Sequence, residues 1–274
     1  MTRRCVRRLR VHGLLGRSRM KVATFNVNGV NGRLPRLLEW LDESRPDIAC
    51  LQEIKTGDET FPVKAFEDAG YGAVWHGQRA HHGVAILARG ETPAEVRRGL
   101  PGDEHDLQAR YLEAEVRGMR VVSLYLPNGN PQPGPKFDYK LAWFDRLLGH
   151  AQTLMASCRD VVLAGDFNVV PTNADIYNAW LWRFDAVLQP ETRERYQRLL
   201  EQGWVDTTRR LHPDERIYTF WVNADAFRRN AGFRMDFLVV TPSLAARLVK
   251  AEVDRDHRGR DKPSDHAPAW ISLD

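Results

Sequence analysis

A carboxylate and an amide stand two residues apart in Gly165-Asp166-Phe167-Asn168, directly after the apolar, β-branched run Val161-Val162-Leu163-Ala164. The run reads as a buried strand, and Pro171 and Thr172 stop further pairing. Residues two apart on an extended chain point to one face. Asp166 and Asn168 are therefore expected together at the carboxyl end of a core strand. Such a hard-oxygen pair suits magnesium, an attacking water or a phosphoryl oxygen. The competing expectation is an Asp-x-Asn turn whose side chains bond the local backbone.

The same signature recurs along the chain. Residues 21–26 read as a strand ending in Asn26-Val27-Asn28-Gly29, again with two polar side chains two apart. Residues 47–53 form a mostly apolar run, as expected of a strand covered on both faces, and it ends in Glu53. A hairpin through Arg117-Gly118 joins residues 110–116 to 119–126, ending in Tyr125-Leu126-Pro127-Asn128. Asp236 heads the apolar run Phe237-Leu238-Val239-Val240, and the Pro-flanked loop 262–270 carries Asp265-His266 before a last strand. Polar groups delivered at strand ends occupy the position expected of ligand sites in α/β proteins. Taken singly, Glu53 reads equally as a solvated turn residue, Tyr125 as a core tyrosine and Asp265-His266 as a capping pair.

The elements that must position these groups follow from periodicity. Leu34, Leu37, Leu38 and Leu41 lie at helical spacing within 33–44, and a short helix is expected over 61–69. Strands are expected at 73–76 and 83–88, with Gln78, Arg79, His81 and His82 in the loop between; adjacent His residues do not have metal-ligand spacing. A stiff Gly/Pro loop spans 129–135 and is followed by Lys136, then a helix over 139–156 with Leu141, Phe144, Leu148, Ala151 and Met155 on one face. Residues 173–203 interleave Tyr177, Trp180 and Trp182 with arginines, as some nucleic-acid surfaces do, and end in a helix over 193–202; packing on a core is the alternative. A last short helix is expected over 243–250.

At 274 residues the chain is long enough for one large α/β domain or two small ones, and 43% apolar and 28% charged residues are ordinary for a globular protein. No internal repeat or linker follows residue 20, so one domain is expected over 20–274. No run of eighteen apolar residues exists, which excludes a membrane-spanning helix. Residues 1–19 hold seven arginines and no acid, and subtracting those seven from the net +4 leaves −3. The basic isoelectric point therefore belongs to the tail and does not mark the body as a nucleic-acid binder. That tail reads as a disordered nucleic-acid arm, an organellar presequence or an upstream start ahead of Met20; the strand opening at Lys21 favours the last. Cys5, Cys50 and Cys158 match no zinc or disulfide spacing, Cys50 reads as a buried small hydrophobe, and a reducing compartment is expected.

Five blocks occur in one order: Phe25-Asn26-Val27-Asn28-Gly29, Leu51-Gln52-Glu53-Ile54-Lys55, Gly165-Asp166-Phe167-Asn168, Arg234-Met235-Asp236 and Ser264-Asp265-His266-Ala267-Pro268. Together they resemble the exonuclease–endonuclease–phosphatase superfamily, and within it the bacterial exonuclease III class of abasic-site endonucleases. The resemblance implies a four-layer α/β sandwich of the deoxyribonuclease I type, two packed mixed β-sheets flanked by helices. It implies a magnesium- or manganese-dependent nuclease that cuts duplex DNA 5′ to abasic sites, leaves a 3′-hydroxyl and trims 3′ ends. By the same resemblance the enzyme is a monomer of the bacterial cytoplasm with no membrane partner.

Carried over, the resemblance makes Glu53 the foremost metal ligand, with Asn26 and Asp265 close by and Asp166, Asn168 and His266 as further candidates. Asp166 would deprotonate the attacking water, Asn168 would donate to that water or to a phosphoryl oxygen, and Tyr125 would bond the phosphate or tune a ligand. His266 paired with Asp236 would be either a cationic donor to the phosphate or a base. Asn28, Lys55, Asn128 and Lys136 are candidate DNA contacts. Phe220, Phe233 and Met235 match positions of a small apolar pocket for an extruded sugar, or are core residues. Tyr125 stands where deoxyribonuclease I relatives carry a second histidine. The alternatives are a superfamily phosphodiesterase acting on RNA, inositol phosphate or lipid, and a non-catalytic DNA-binding relative, against which the intact polar set argues.

Overall fold

The computed structural model describes residues 19–274. All of the basic tail except Arg19 lies outside the described residues. Two six-stranded sheets are stacked. The first runs β11 (Leu248–Val253), β12 (Ala269–Leu273), β1 (Met20–Asn26), β2 (Ile48–Gln52), β4 (Val84–Arg89), β3 (Tyr71–His76). The second runs β5 (Ala94–Arg98), β6 (Tyr111–Val116), β7 (Met119–Tyr125), β8 (Val161–Asp166), β10 (Asp236–Val240), β9 (Val205–Asp206). Both sheets are mixed: β1 and β2 are parallel, as are β7 and β8, and their outer neighbours are antiparallel.

Strand periodicity dictates how the layers meet. Successive side chains alternate between faces, so Val22, Ile48 and Cys50 point inward and meet Val121, Val162, Leu238 and Val240 of the other sheet. Their neighbours Ala23, Ala49 and Leu51 point outward, against Leu37, Trp40 and Leu41 of helix α1 (Val30–Ser44) and Phe66 of α2 (Val63–Asp68). On the far side, Val122, Leu124, Leu163 and Val239 pack against Trp143, Phe144 and Leu147 of α3 (Pro135–Ala156) and Leu199 of α4 (Pro190–Glu201). This is the expected four-layer sandwich. Three short helices, α5 (Thr207–Leu211), α6 (Ala224–Arg228) and α7 (Pro242–Ala245), complete the connections. Among the described residues no helix is long and apolar enough to cross a membrane.

Several local expectations are corrected. The helix expected over 243–250 stops at Ala245, and β11 begins at Leu248, pairing with β12 through a register shift. Strand β5 was not anticipated: all five of its residues are exposed, so it has no buried face to give an alternating pattern. Helix α3 begins at Pro135 rather than 139, because proline is well suited to the first helical turn even though it reads as loop in a Pro-rich stretch. The face α3 buries includes Phe137, Lys140 and Trp143 and only half-buries Leu141.

Strand β8 lies so close to β7 that Gly165 has no room for a side chain: a Cβ there would stand 2.0 Å from the Leu124 carbonyl oxygen. The parallel register sets Leu124 beside Gly165 and Tyr125 beside Asp166. Gly165→Ala is therefore expected to push the two strands apart and lower stability by about 2–3 kcal/mol, read as a fall in the urea midpoint. An unchanged midpoint would show that the close approach is not part of the folded structure in solution.

Candidate active site

The inward-facing positions turn polar at one end of the sandwich. In β1 the sequence runs Val22, Thr24, Asn26; in β2 it runs Ile48, Cys50, Gln52; in β7 it runs Val121, Ser123, Tyr125; in β8 it runs Val162, Ala164, Asp166. Strand β10 runs the opposite way and so brings its first residue, Asp236, to the same end, directly opposite Asp166. Beneath this end a buried chain of hydrogen bonds runs within the first sheet and crosses to the second. Thr24 Oγ1 donates to Gln52 Oε1 at 3.1 Å, and Gln52 Nε2 donates to Ser123 Oγ at 3.1 Å.

Asn26 sits at the centre. Its buried amide Nδ2 donates to Glu53 Oε1 and to Asp166 Oδ2, both at 3.0 Å, linking a carboxylate of one sheet to a carboxylate of the other. Glu53 follows β2 with φ +52° and also accepts from the Tyr125 hydroxyl at 2.7 Å. Burial works to raise the Glu53 pKa, but donors from Asn26, Lys55 and Tyr125 outweigh it and hold the carboxyl below its ordinary range. Burial, with the Glu53 and Asp166 carboxylates adding to it, drives the Tyr125 hydroxyl well above its ordinary value, so it remains a donor.

Asp166 is at once the local turn and the exchangeable group. Its Oδ1 accepts the Asn168 backbone N–H at 2.9 Å, the Asp-x-Asn turn considered above. Its Oδ2 faces Asn26 and, at 3.8 Å, His266 Nε2. The opposite imidazole nitrogen, Nδ1, lies 2.8 Å from Asp236 Oδ2. Burial pushes the Asp166 carboxyl up to about 7, with the His266 charge opposing that rise. Burial would lower the His266 pKa, but Asp236, Asp166 and Asp265 around it raise it to about 10. The imidazole is therefore cationic at neutral pH and is clamped in one orientation by Asp236.

The last motif is stitched to the first. Ser264 Oγ donates to the Asn26 carbonyl at 2.7 Å, and Asn28 Nδ2 donates to Asp265 Oδ1 at 3.0 Å. Burial acts to raise the Asp265 pKa, and the adjacent His266 charge and hydrogen-bond donors bring it below its ordinary value. Thr219 Oγ1 accepts from the backbone N–H groups of Met235 and Asp236, and the Trp221 N–H donates to the Asp265 carbonyl. Phe220 lies with its ring 4.8 Å from that of His266 and 5.5 Å from that of Phe233. Phe220 is half-buried at the cleft, whereas Phe233 and Met235 are buried behind it with Ile176 and Val187.

The donor set fits a hard divalent cation on the Glu53 side of the cleft. An ammonium already bridges oxygens there: Lys55 Nζ is 2.6 Å from Glu53 Oε2 and 2.6 Å from Asn28 Oδ1. Asp166, Asp236 and His266 also bring one ligand atom each within 4.8 Å of one another. There the hydrogen bond to Asp236 gives a proton the stronger claim, since a protonated imidazole has no lone pair for a metal. Asn26, Glu53, Tyr125, Asp166, Asp236 and His266 thus form one connected cluster, and Lys55 and Asn28 link Glu53 to Asp265.

Asn168 is buried beside Asp166 but in the left-handed region, φ +43°, not on extended chain. Its amide Nδ2 donates to the Leu126 carbonyl at 2.9 Å, and its Oδ1 accepts from the exposed Asn128 at 3.3 Å. Lys136 is exposed on the first turn of α3 and makes no hydrogen bond or ion pair to the cluster among the described residues. Two groups were missed. Arg110 places its guanidinium 4.7 Å from the Tyr125 ring centroid and donates to the Tyr125 carbonyl. Lys140 is fully buried, and its ammonium donates to the carbonyls of Pro127 at 3.0 Å, Asn128 at 3.1 Å and Asn168 at 2.5 Å. Burial lowers its pKa to about 7 against the pull of Asp166 and Asp185. Its signal in the sequence was helical spacing, since Lys140 lies three, four and seven residues before Trp143, Phe144 and Leu147.

The chain matches the endonuclease/exonuclease/phosphatase family over residues 23–266. It is similar to a protein named exodeoxyribonuclease III from Haemophilus influenzae, 35% identical over 93% of this chain and 100% of that one. Among solved structures it resembles a 3′ phosphatase from Neisseria bound to a product DNA hairpin, with 37% identity, a TM-score of 0.89, and coverage of 93% of this chain and 99% of that chain. It also resembles an AP endonuclease from Archaeoglobus fulgidus, with 36% identity, a TM-score of 0.89 and the same two coverages.

Because one ammonium bonds three backbone carbonyls, Lys140→Met leaves all three without that donor. The expected cost is about 2–4 kcal/mol of stability, measured by urea unfolding. A variant as stable as the parent would show that water replaces the ammonium and that Lys140 does not hold the two loops.

Proposed function

The chain belongs to the endonuclease/exonuclease/phosphatase family, and we propose from that premise how its cleft works as a nuclease. It is a phosphodiester hydrolase and DNA repair nuclease of the exodeoxyribonuclease III and abasic-site endonuclease type. In the reading we favour it hydrolyses the phosphodiester 5′ to an abasic deoxyribose in duplex DNA, leaves a 3′-hydroxyl and trims 3′ ends. It acts as a monomer in the bacterial cytoplasm and uses magnesium or manganese. The observation that carries this reading is the buried Asp166, joined through the Asn26 amide to Glu53 and facing a cationic His266 at 3.8 Å.

The residues divide the work by charge. Asp166, with a pKa near 7, is matched to accept a proton from water at neutral pH. His266, cationic and held by Asp236, donates to the phosphoryl oxygen on which charge accumulates. Tyr125 keeps its proton, orients Glu53, and closes the phosphate side of the cleft. Asn168 fixes the Asp166 turn through its backbone N–H, and Asn128 beside it presents an exposed amide to the DNA backbone. Glu53, with Asn26 and Asp265 beside it, would hold the divalent ion, which supplies charge neutralisation to the phosphate and stabilises the leaving 3′-oxygen. Phe220 stands against His266 as the wall an abasic sugar would meet, with Phe233 and Met235 setting its position from behind. A sugar without its base leaves the stack at low cost, so such a wall selects damage by shape. Asn28, Lys55 and Lys136 line the approach of the phosphate backbone.

A duplex bearing one abasic analogue is expected to be cut in magnesium and left intact with chelator. RNA, inositol phosphate and lipid phosphodiesters are expected to be poor substrates; preference for any of them would replace this reading. Asp166→Asn is expected to lower kcat by about 10²-fold or more without loss of DNA binding. With Asp166 required ionised and His266 required protonated, kcat/KM is expected to rise with pH through about 7 and fall beyond about 10. Removing the carboxylate in Asp236→Asn lowers the His266 pKa, so the alkaline limb moves to lower pH. An alkaline limb that stays in place in that variant would take His266 out of the proposed role.

A further inference from the structure

The segment between β8 and α4 carries an uncovered aromatic turn that the mechanism does not use. Of the seven exposed large hydrophobics among the described residues, Trp180, Leu181 and Phe184 fall within five consecutive positions, at 69%, 62% and 72% exposure. Arg183 lies among them, its guanidinium carbon 3.9 Å from the Trp180 ring centroid and 4.4 Å from that of Phe184. No carboxylate pairs with Arg183 among the described residues; its hydrogen bond goes to the Trp180 carbonyl. The tip is therefore two aromatic faces with a cation between them, open to solvent.

The turn is held in shape and tied to the cleft. Asn178 Oδ1 accepts the Trp180 N–H, the Asp185 N–H donates to the Trp182 carbonyl, and Gln189 Nε2 donates to the Arg183 carbonyl. The neighbouring loop grips it as well, through Gln132 Nε2 to the Phe184 carbonyl and Asn130 Nδ2 to Asp185 Oδ1. Between the two exposed rings, Trp182 points inward and meets Phe233 edge-on at 4.8 Å. Phe233 contacts Phe220, and Phe220 contacts His266. A run of ring contacts thus leads from the His266 imidazole to Trp182 at the base of the turn, and the loop that grips the tip through Asn130 and Gln132 also carries Asn128, bonded to Asn168 beside Asp166.

We propose that Trp180, Arg183 and Phe184 form a wedge that stacks on a nucleobase of the duplex beside the extruded abasic sugar. This rests on the nuclease reading above and extends it to how the lesion is held. Loss of a base leaves an unpaired partner and a gap in the stack. Aromatic faces with an arginine are the groups that take up unpaired bases independently of sequence, because every base offers a π-face and every phosphate a negative charge. A polar surface that met only the sugar–phosphate backbone would have no use for two exposed rings.

The test uses the full chain and a duplex carrying 2-aminopurine opposite an abasic analogue, with chelator present to prevent cleavage. Binding of the parent is expected to change the 2-aminopurine fluorescence. The double variant Trp180→Ala, Phe184→Ala is expected to abolish that change and to weaken binding by roughly tenfold or more, with kcat at saturating substrate in magnesium within about twofold of the parent. Trp180→Phe, which keeps a ring, is expected to retain most of the signal. Unchanged affinity and fluorescence in the double variant, with the parent cutting normally, would overturn the wedge and leave the nuclease reading standing. The wedge would also fall if the substitutions abolish self-association in sedimentation while DNA affinity stays the same, because the turn would then be a subunit contact. A parent that neither binds nor cuts the abasic duplex would overturn both.

Discussion

Four carboxylates, Glu53, Asp166, Asp236 and Asp265, crowd one end of the sandwich, beyond an apolar layer between the sheets. Isolated buried carboxylates cost far more than a folded domain can spare, so everything near them is a device for compensating charge. The Asn26 amide is the central device, because its two N–H bonds go to carboxylates of different sheets. Asp166 and Asp236 are directly opposite on paired strands, an arrangement of like charges that is unfavourable by itself. His266 resolves it by placing one ring nitrogen toward each. The sheets are consequently held in register at this end by electrostatics and at the other by apolar packing.

The compensation is incomplete, and the imbalance is what gives the cleft its chemistry. Asp236 Oδ1 is buried without a hydrogen-bond partner, so the negative charge around His266 is not fully spent on donors and holds the imidazole proton firmly. Asp166 shares that proton's field from 3.8 Å but is itself so buried that its carboxyl is raised toward neutrality. Glu53, with three side-chain donors, is driven in the opposite direction. Carboxylates whose environments push their pKa values apart are suited to different tasks, one to exchange protons and one to remain charged. Neighbouring strand ends achieve this split with the same side-chain chemistry.

Much of this was legible in the sequence because the strands carry a period of two. Val22-Thr24-Asn26, Ile48-Cys50-Gln52 and Val162-Ala164-Asp166 each pass from apolar to polar along one face, and the polar end is where the cleft lies. Asp166 and Asp236 could be picked out for that reason, whereas Glu53 was marked by its place just after a strand, His266 by the Pro-flanked loop before the last strand, and both by the resemblance of their blocks. Strand β5 could not be read, since a fully exposed edge strand has no alternation to show. Strand β11 was mistaken for the continuation of a helix because a short turn of helix at α7 precedes it with little change in composition. Lys140 was overlooked because lysine is ordinarily a surface residue; only its helical phase with Trp143, Phe144 and Leu147 marks it as buried. Asn168 was expected to face the phosphate. Its left-handed conformation could not be foreseen from a pattern that assumes extended chain, and its side-chain amide is shared between the Leu126 carbonyl and the Asp166 carboxylate.

The division between strands and loops sets what can vary in such a protein. Residues at strand ends are fixed by two sheets, so a change in the chemistry would require a change in the packing beneath it. The loops are fixed differently. Lys140 joins the segment bearing Pro127 and Asn128 to that bearing Asn168, and Asn130 and Gln132 join the former to the Trp180–Phe184 turn. The Asn130 and Gln132 links are hydrogen bonds near the surface, whereas those of Lys140 are buried beside the Asp166 turn, so sequence in the Trp180–Phe184 turn can alter with less effect on Asp166 than a change at Lys140. In the mechanism proposed above, preference among phosphodiesters would rest on the loops and hydrolysis on the strand ends. Where Phe220 meets the His266 ring, 4.8 Å between ring centroids, the proposed substrate wall touches the proposed phosphate donor, so the fit of a substrate there would bear on the position of the imidazole.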